Sequence, residues 1–222
     1  MSRASRLTAL AAAWLATGCG GGGSGSGTGP CTPGAATQLV KTGGDAQVWY
    51  FNNPLPAALS VKALDANNCV VPGVVVNWTV ASGGGGVSPA QSTTNASGVA
   101  SAADSIGSST PQSVHATPAI TSLPTLTFSA TASAAPTSEA VSVKDNFFQP
   151  NDTTVQAGGS VTWNWAGNTS HTLTFTSGPA PLPAETTAQM TGTRTITFNT
   201  PGTYGYRCTI HSGMSGTLNV VH

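Results

Sequence analysis

The sequence predicts an all-β protein of two β-sandwich domains in series. Three observations predict it. Thr, Ser, Ala, Gly and Val dominate a chain of 222 residues that also holds 27 Gly and 15 Pro, a composition of short strands joined by tight turns. Apolar residues alternate with polar ones in short runs from residue 48 to the end, a period of two rather than 3.6. No long stretch carries helical period. Charged residues make up 6% of the chain, with Lys+Arg and Asp+Glu balanced at 7 each. There is therefore no basic field to draw nucleic acid and no acidic tail.

The elements follow in chain order. Residues 1–18 read as an export signal: Arg3 and Arg6 precede an apolar run from Leu7 to Ala16 that is too short to span a bilayer. Ala16-Thr17-Gly18-Cys19 then resembles a bacterial lipobox, which implies cleavage before Cys19 and lipid on its sulfur. The alternative is ordinary signal cleavage nearby and a free protein. Residues 19–35 form a Gly/Ser-rich tether, whose glycine run behaves as a coil with a reach of roughly 20 Å. Gly20 after Cys19 slightly favours an outer membrane where the cell has two. The expected location is outside the cytoplasm, anchored to a bacterial membrane and facing the periplasm or the cell surface.

Of four cysteines, Cys19 is assigned to lipid and Cys208 to a candidate metal site. Cys31 and Cys69 remain, an even number in an oxidising compartment, so a disulfide between them is expected.

Residues 36–132 are the first folded unit. Leu59, Val61 and Ala63 point one way, and Val74, Val76 and Trp78 share a face one strand later. Turn chemistry breaks the run at Pro72-Gly73, at the glycines of 83–86 and at residues 95–98. At Pro54-Leu55-Pro56, Ser60-Val61-Lys62-Ala63, the run from Pro72 to Trp78, the run from Thr94 to Ala100 and the run from Phe128 to Ala132, the unit resembles the bacterial Ig-like domains of the invasin/intimin group. The resemblance implies a β-sandwich and a spacer role, with surface adhesion as the alternative. Trp78 is expected in the core and His115 on a strand without a ligand role.

Residues 133–138 are a linker, and residues 139–222 form the second unit, with about seven or eight strands expected. Val161, Trp163 and Trp165 share one face, AGGS at 157–160 reads as a hairpin turn, and the turn Thr200-Pro201-Gly202 leads into the last two strands.

The chemistry lies in YRCTIHSGMSG, where Cys208, His211 and Met214 follow at intervals of three between two strands. Thiolate and imidazole suit several metals, but a thioether is a poor ligand for zinc, calcium or magnesium and a good one for copper. One more imidazole would complete a His2Cys trigonal set with a weak axial Met. His115 lies in the other unit and His222 is the last residue, which leaves His171 in the segment NTSHTLTF.

With these residues in hand, VQAGGSVTW, the SHT histidine, FNTPGTYGYRCTIHSGM and the closing GTLNVV resemble the cupredoxins. These are the blue copper proteins of the plastocyanin, pseudoazurin and amicyanin group. The resemblance implies a Greek-key sandwich and one type 1 copper ion, with His171, Cys208 and His211 equatorial and Met214 axial. It implies a one-electron carrier and no enzyme, since four protein ligands leave no open position for substrate. A redox donor and acceptor would dock transiently near His211, rimmed by Gly213 and residues 179–183, on a monomer. Thr172 departs from the Asn that many relatives carry after the first histidine, so the hydrogen bonding around the thiolate is open at this point. Copper acquisition or delivery is the competing function for the same ligands.

Overall fold

The computed structural model describes residues 31–222. The signal segment, Cys19 and most of the tether lie outside the described residues. Within them every regular element is a strand, and no helix is long and apolar enough to cross a membrane.

The first nine strands are β1 (Gln38–Gly43), β2 (Gln47–Tyr50), β3 (Leu59–Leu64), β4 (Val75–Ser82), β5 (Gly85–Ser88), β6 (Gln91–Thr93), β7 (Val99–Ile106), β8 (Gln112–Pro118) and β9 (Leu126–Ser133). They form two sheets, ordered β1-β3-β7-β5 and β2-β9-β8-β4-β6. The alternation in the sequence becomes the two inner faces. Leu59, Val61 and Ala63 are buried from one sheet, and Val76, Trp78 and Phe128 from the other, in a single core. Trp78 meets Phe128 at 5.8 Å between ring centroids, and its indole N–H donates to Ser92 Oγ at 2.8 Å. A buried Trp is stable there because both its ring and its one donor are satisfied. His115 stands on β8, part-exposed and outside this core.

The lead-in to β1 is held by a buried carboxylate. Asp65 accepts backbone N–H bonds from Gly34 at 2.8 Å, Asn67 at 2.8 Å and Cys69 at 2.9 Å. Those from Gly34 and Cys69 chiefly hold its carboxyl below the usual carboxylate range. Cys31 and Cys69 are both disulfide-bonded, while Cys208 is a free thiol.

The second sandwich is built from β10 (Ser138–Lys144), β11 (Phe147–Gln149), β12 (Asp152–Gln156), β13 (Gly159–Trp165), β14 (Thr174–Ser177), β15 (Gly192–Phe198), β16 (Gly202–Arg207) and β17 (Ser215–Val221). Its sheets run β11-β10-β13-β15 and β12-β17-β16-β14. Two pairs are parallel, β10 with β13 and β12 with β17. Here the sequence expectation needs correction. Residues 157–160 turn the chain, with Gly158 at φ +86°, but β12 and β13 do not pair as a hairpin; they enter opposite sheets. Val155 and Val161 are both fully buried, and a crossing between facing sheets lets both point into one core. Trp163 sits at its centre, edge-on to Phe175 at 5.7 Å and to Tyr206 at 5.5 Å.

Residues 134–137 join the sandwiches. Ala135 is buried, and the carbonyls of Pro136 and Thr137 accept from Gln156 N at 2.8 Å and Ser160 N at 3.0 Å. The join is therefore hydrogen-bonded into the second sandwich rather than left as loose chain.

Candidate metal centre

Strand pairing brings the metal-ligand candidates together. β16 and β17 pair through Arg207 and Ser215, so residues 208–214 are a loop clamped at both ends. Cys208 N donates to Met214 O at 3.0 Å and closes it. Gly213, at φ +82°, takes the left-handed conformation that the tight turn needs. On the other side β14 pairs with β16 so that Thr174 faces Arg207. The three residues before Thr174 therefore run alongside Cys208. His171 is fixed there by reciprocal backbone bonds with Gln189, 2.9 and 3.1 Å, and its carbonyl accepts from the Trp165 indole at 3.0 Å.

The result is a tight convergence of donor atoms. Cys208 Sγ lies 3.9 Å from His171 Nδ1 and 3.6 Å from His211 Nδ1, and the two Nδ1 atoms are 3.0 Å apart. All three atoms lie within 4.8 Å of one another. Met214 is 1% exposed and lines the same depression as Cys208 and His211. His171 is fully buried, whereas His211 is part-exposed, so one histidine is a wall and the other reaches solvent. His115 and His222 are not brought to the site.

The donor set fits copper. Two imidazole nitrogens aimed at each other repel unless a proton or a cation lies between them, and the adjacent thiol is predisposed to ionise. Burial is the largest influence on Cys208 and opposes ionisation. The N–H donors of Thr172, Ile210 and His211, with the His171 side chain, outweigh it and bring the thiol down to about 6. A thiolate between two imidazoles, with a thioether beside it, suits a soft redox metal better than zinc.

Thr172 fills its position in a definite way. Its N–H lies 3.5 Å from Cys208 Sγ, and its hydroxyl accepts from Thr209 N at 2.8 Å while contacting Thr209 Oγ1 at 2.9 Å. A hydroxyl thus ties the two ligand-bearing segments together. Thr209 in turn donates to Glu185 at 3.3 Å.

Sequence reasoning missed Asp145. It lies in the turn between β10 and β11, and the parallel register of β10 with β13, Val143 opposite Trp165, carries that turn to residues 167–169. Asp145 Oδ1 accepts from Asn168 N, Thr169 N and Thr169 Oγ1 at 2.8–3.0 Å and stands 3.3 Å from His171 Nε2. The Asn168 N–H and then the Thr169 hydroxyl hold its carboxyl well below the usual range. Nothing local in the sequence marks it; only the pairing of strands does.

The rim also needs correction. Residues 179–183 pack against Phe198, Thr200 and Tyr204, at the turn where β16 begins, while Cys208 follows its other end. Six residues of strand, roughly 20 Å, separate the two. The surface beside His211 is instead Ile210, half-exposed, with Ser212 and Gly213.

Residues 118–220 match the family model of the cupredoxin-like domain, a match that begins at the end of β8. Among solved structures, oxidised plastocyanin from Dryopteris crassirhizoma is 31% identical over 36% of this chain and 98% of its own, with a TM-score of 0.32. Reduced auracyanin from Roseiflexus castenholzii is 22% identical over 40% of this chain and all of its own, TM-score 0.33. A purple cupredoxin from Nitrosopumilus maritimus is 17% identical over 37% and 98%, TM-score 0.34. No curated protein matches the chain. The C-terminal part of this chain belongs to the cupredoxin-like domain family.

Proposed function

We propose that the protein is a type 1 copper electron carrier held outside the cytoplasm, with His171, Cys208 and His211 as equatorial ligands and Met214 as the axial one. The observation that carries this reading is the convergence of two Nδ1 atoms and one Sγ at 3.0–3.9 Å beside a buried methionine. Copper bound there would supply a Cu(I)/Cu(II) couple and so accept and release one electron. The chain's own contribution is to hold the donors still and dry. β16 and β17 clamp the 208–214 loop, Gln189 and Trp165 lock the His171 backbone, and Thr172 joins the two segments. Little needs to rearrange when the charge of the site changes. His211, part-exposed among Ile210, Ser212 and Gly213, is the route for the electron and the place where a redox donor or acceptor docks briefly. With 6% charged residues, partner steering is weak, and reduction rates should vary little with salt.

The N-terminal sandwich is proposed as an Ig-like spacer, Cys19 as the lipid anchor, and Cys31 and Cys69 as each other's disulfide partners. The disulfide-bonded state of both supports an oxidising compartment. Visible and EPR spectra of the copper-loaded protein, beside Cys208→Ser and Met214→Leu, test the assignment. We expect an intense thiolate-to-copper band, abolished in the first variant and altered in the second. A loaded wild type without that band would reject the carrier, and rapid loss of Cu(I) to a metal-free acceptor protein would favour delivery.

A further inference from the structure

We propose that Asp145 is a positioning residue that fixes the tautomer of His171 and, through the ring, biases the site toward its oxidised form. The second half of this inference rests on the copper reading above; the first half does not.

His171 is 0% exposed, and its Nδ1 faces Cys208 Sγ and His211 Nδ1. A ring that offers the Nδ1 lone pair to a metal must carry its proton on Nε2. Nε2 has two neighbours, Thr169 Oγ1 at 3.1 Å and Asp145 Oδ1 at 3.3 Å. The Thr169 hydroxyl gives its own proton to Asp145 Oδ1 at 2.8 Å, which leaves its lone pair facing Nε2. Both paths from Nε2–H therefore end on one carboxylate oxygen. That oxygen can only accept, so the pairing admits the Nε2–H tautomer and excludes the other.

The carboxylate cannot swing away as a surface acid would. The backbone N–H of Asn168 reaches both of its oxygens, at 2.8 and 3.0 Å, and that of Thr169 reaches Oδ1 at 3.0 Å. The turn that carries it is fastened by Ala166 N donating to Val143 O at 2.9 Å. Among the described residues no Lys or Arg forms an ion pair with it; the one basic side chain within reach is the His171 ring, at 3.3 Å. Neighbouring Lys144 lies instead over the Phe147 ring, 6.0 Å from its centroid. An unneutralised anion in hydrogen-bond reach of a ligand ring makes that ring a stronger donor, and it favours whichever state of the site carries more positive charge. With Nε2–H fixed on His171, its Nδ1 lone pair faces the space shared with Cys208 Sγ and His211 Nδ1.

Two measurements separate this inference from the reading beneath it. In metal-free protein, nitrogen-15 NMR of the imidazoles should find the His171 proton on Nε2, slow to exchange, in wild type and Asp145→Asn but not in Asp145→Ala. In copper-loaded protein, Asp145→Asn keeps shape and acceptor but removes charge. It should raise the midpoint potential by about tenfold in the ratio of the two copper affinities, about 59 mV for one electron. Glu185→Gln, which alters a carboxylate bonded to Thr209 rather than to a ligand ring, should move it less. A His171 proton on Nδ1 in metal-free wild type, or equal shifts from Asp145→Asn and Glu185→Gln, overturns the role of Asp145. Absence of the copper–thiolate band in wild type overturns the copper reading and leaves the tautomer measurement standing.

Discussion

The backbone N–H of Thr209 donates to the hydroxyl of Thr172 at 2.8 Å, so the residue after Cys208 is tied to the residue after His171. Replacing Thr172 by Val keeps the shape and deletes the acceptor. It leaves a part-buried N–H without its partner, a loss of about 1–2 kcal/mol. We expect thermal unfolding of the metal-free protein to shift down accordingly, and the EPR lines of the loaded protein to broaden as the two segments loosen. Thr172→Ser should restore both. Equal behaviour of the Val and Ser variants would show that the hydroxyl holds nothing.

Asp65 supplies a pH dependence away from the metal. Its folded carboxyl is held below the ordinary value of 3.8, chiefly by the N–H groups of Gly34 and Cys69. A depressed folded value means that the unfolded chain binds the proton more tightly. The contribution of Asp65 is thus whole above the unfolded value and is lost as pH falls through the folded one. Denaturant midpoints of the wild type should decline below about pH 4, and Asp65→Asn should flatten part of that decline while lowering the midpoint at neutral pH. An unchanged acid limb in the variant would assign the decline to other carboxylates.

Much of this architecture was legible because it is local. The period of two put Val161, Trp163 and Trp165 on one buried face of β13, and all three are 6% exposed or less. Cys208, His211 and Met214 lie within one loop, so their spacing alone announces them. His171 was reached by elimination, and strand pairing brings it to the same point. What escaped depends on register between distant segments. Asp145 meets His171 only because β10 and β13 pair in parallel, and 26 residues of separation carry no hint of that. The turn at 157–160 looks the same in sequence whether the next strand pairs with the last or crosses to the facing sheet. Residues 179–183 were placed at the rim by the family resemblance alone, whereas Pro179 packs on the Gly202 end of β16.

Met214 separates stability from metal chemistry. Its side chain is 1% exposed in a core that also holds Tyr206 and Phe148. Leu has nearly the same volume, so Met214→Leu should leave the metal-free protein within about 1.5 kcal/mol of wild type. Leu218→Ala, at a fully buried position of the same core, should cost about 2–5 kcal/mol through the cavity it opens. Denaturant unfolding of the two variants checks this. A collapse of Met214→Leu alone would make the methionine a packing residue first.

A pair of hydrogen bonds between Asn53 and His222 links the two sandwiches. Asn53, on the first, is 4% exposed. Its amide donates to the carbonyl of His222 at 3.2 Å, and its carbonyl oxygen accepts from His222 N at 2.9 Å. The side chain so pairs with the last residue of the second sandwich as one strand pairs with another, while its Nδ2 also reaches Phe51 O at 2.7 Å. Two such bonds contribute about 1–3 kcal/mol together, applied across the join rather than within either core. Asn53→Ala should therefore resolve one calorimetric transition into two, and deleting His222 should do the same. Because both changes remove the same pair of bonds, the double variant should be no less stable than the weaker single one. Strictly additive losses would mean that the two residues stabilise their own sandwiches independently.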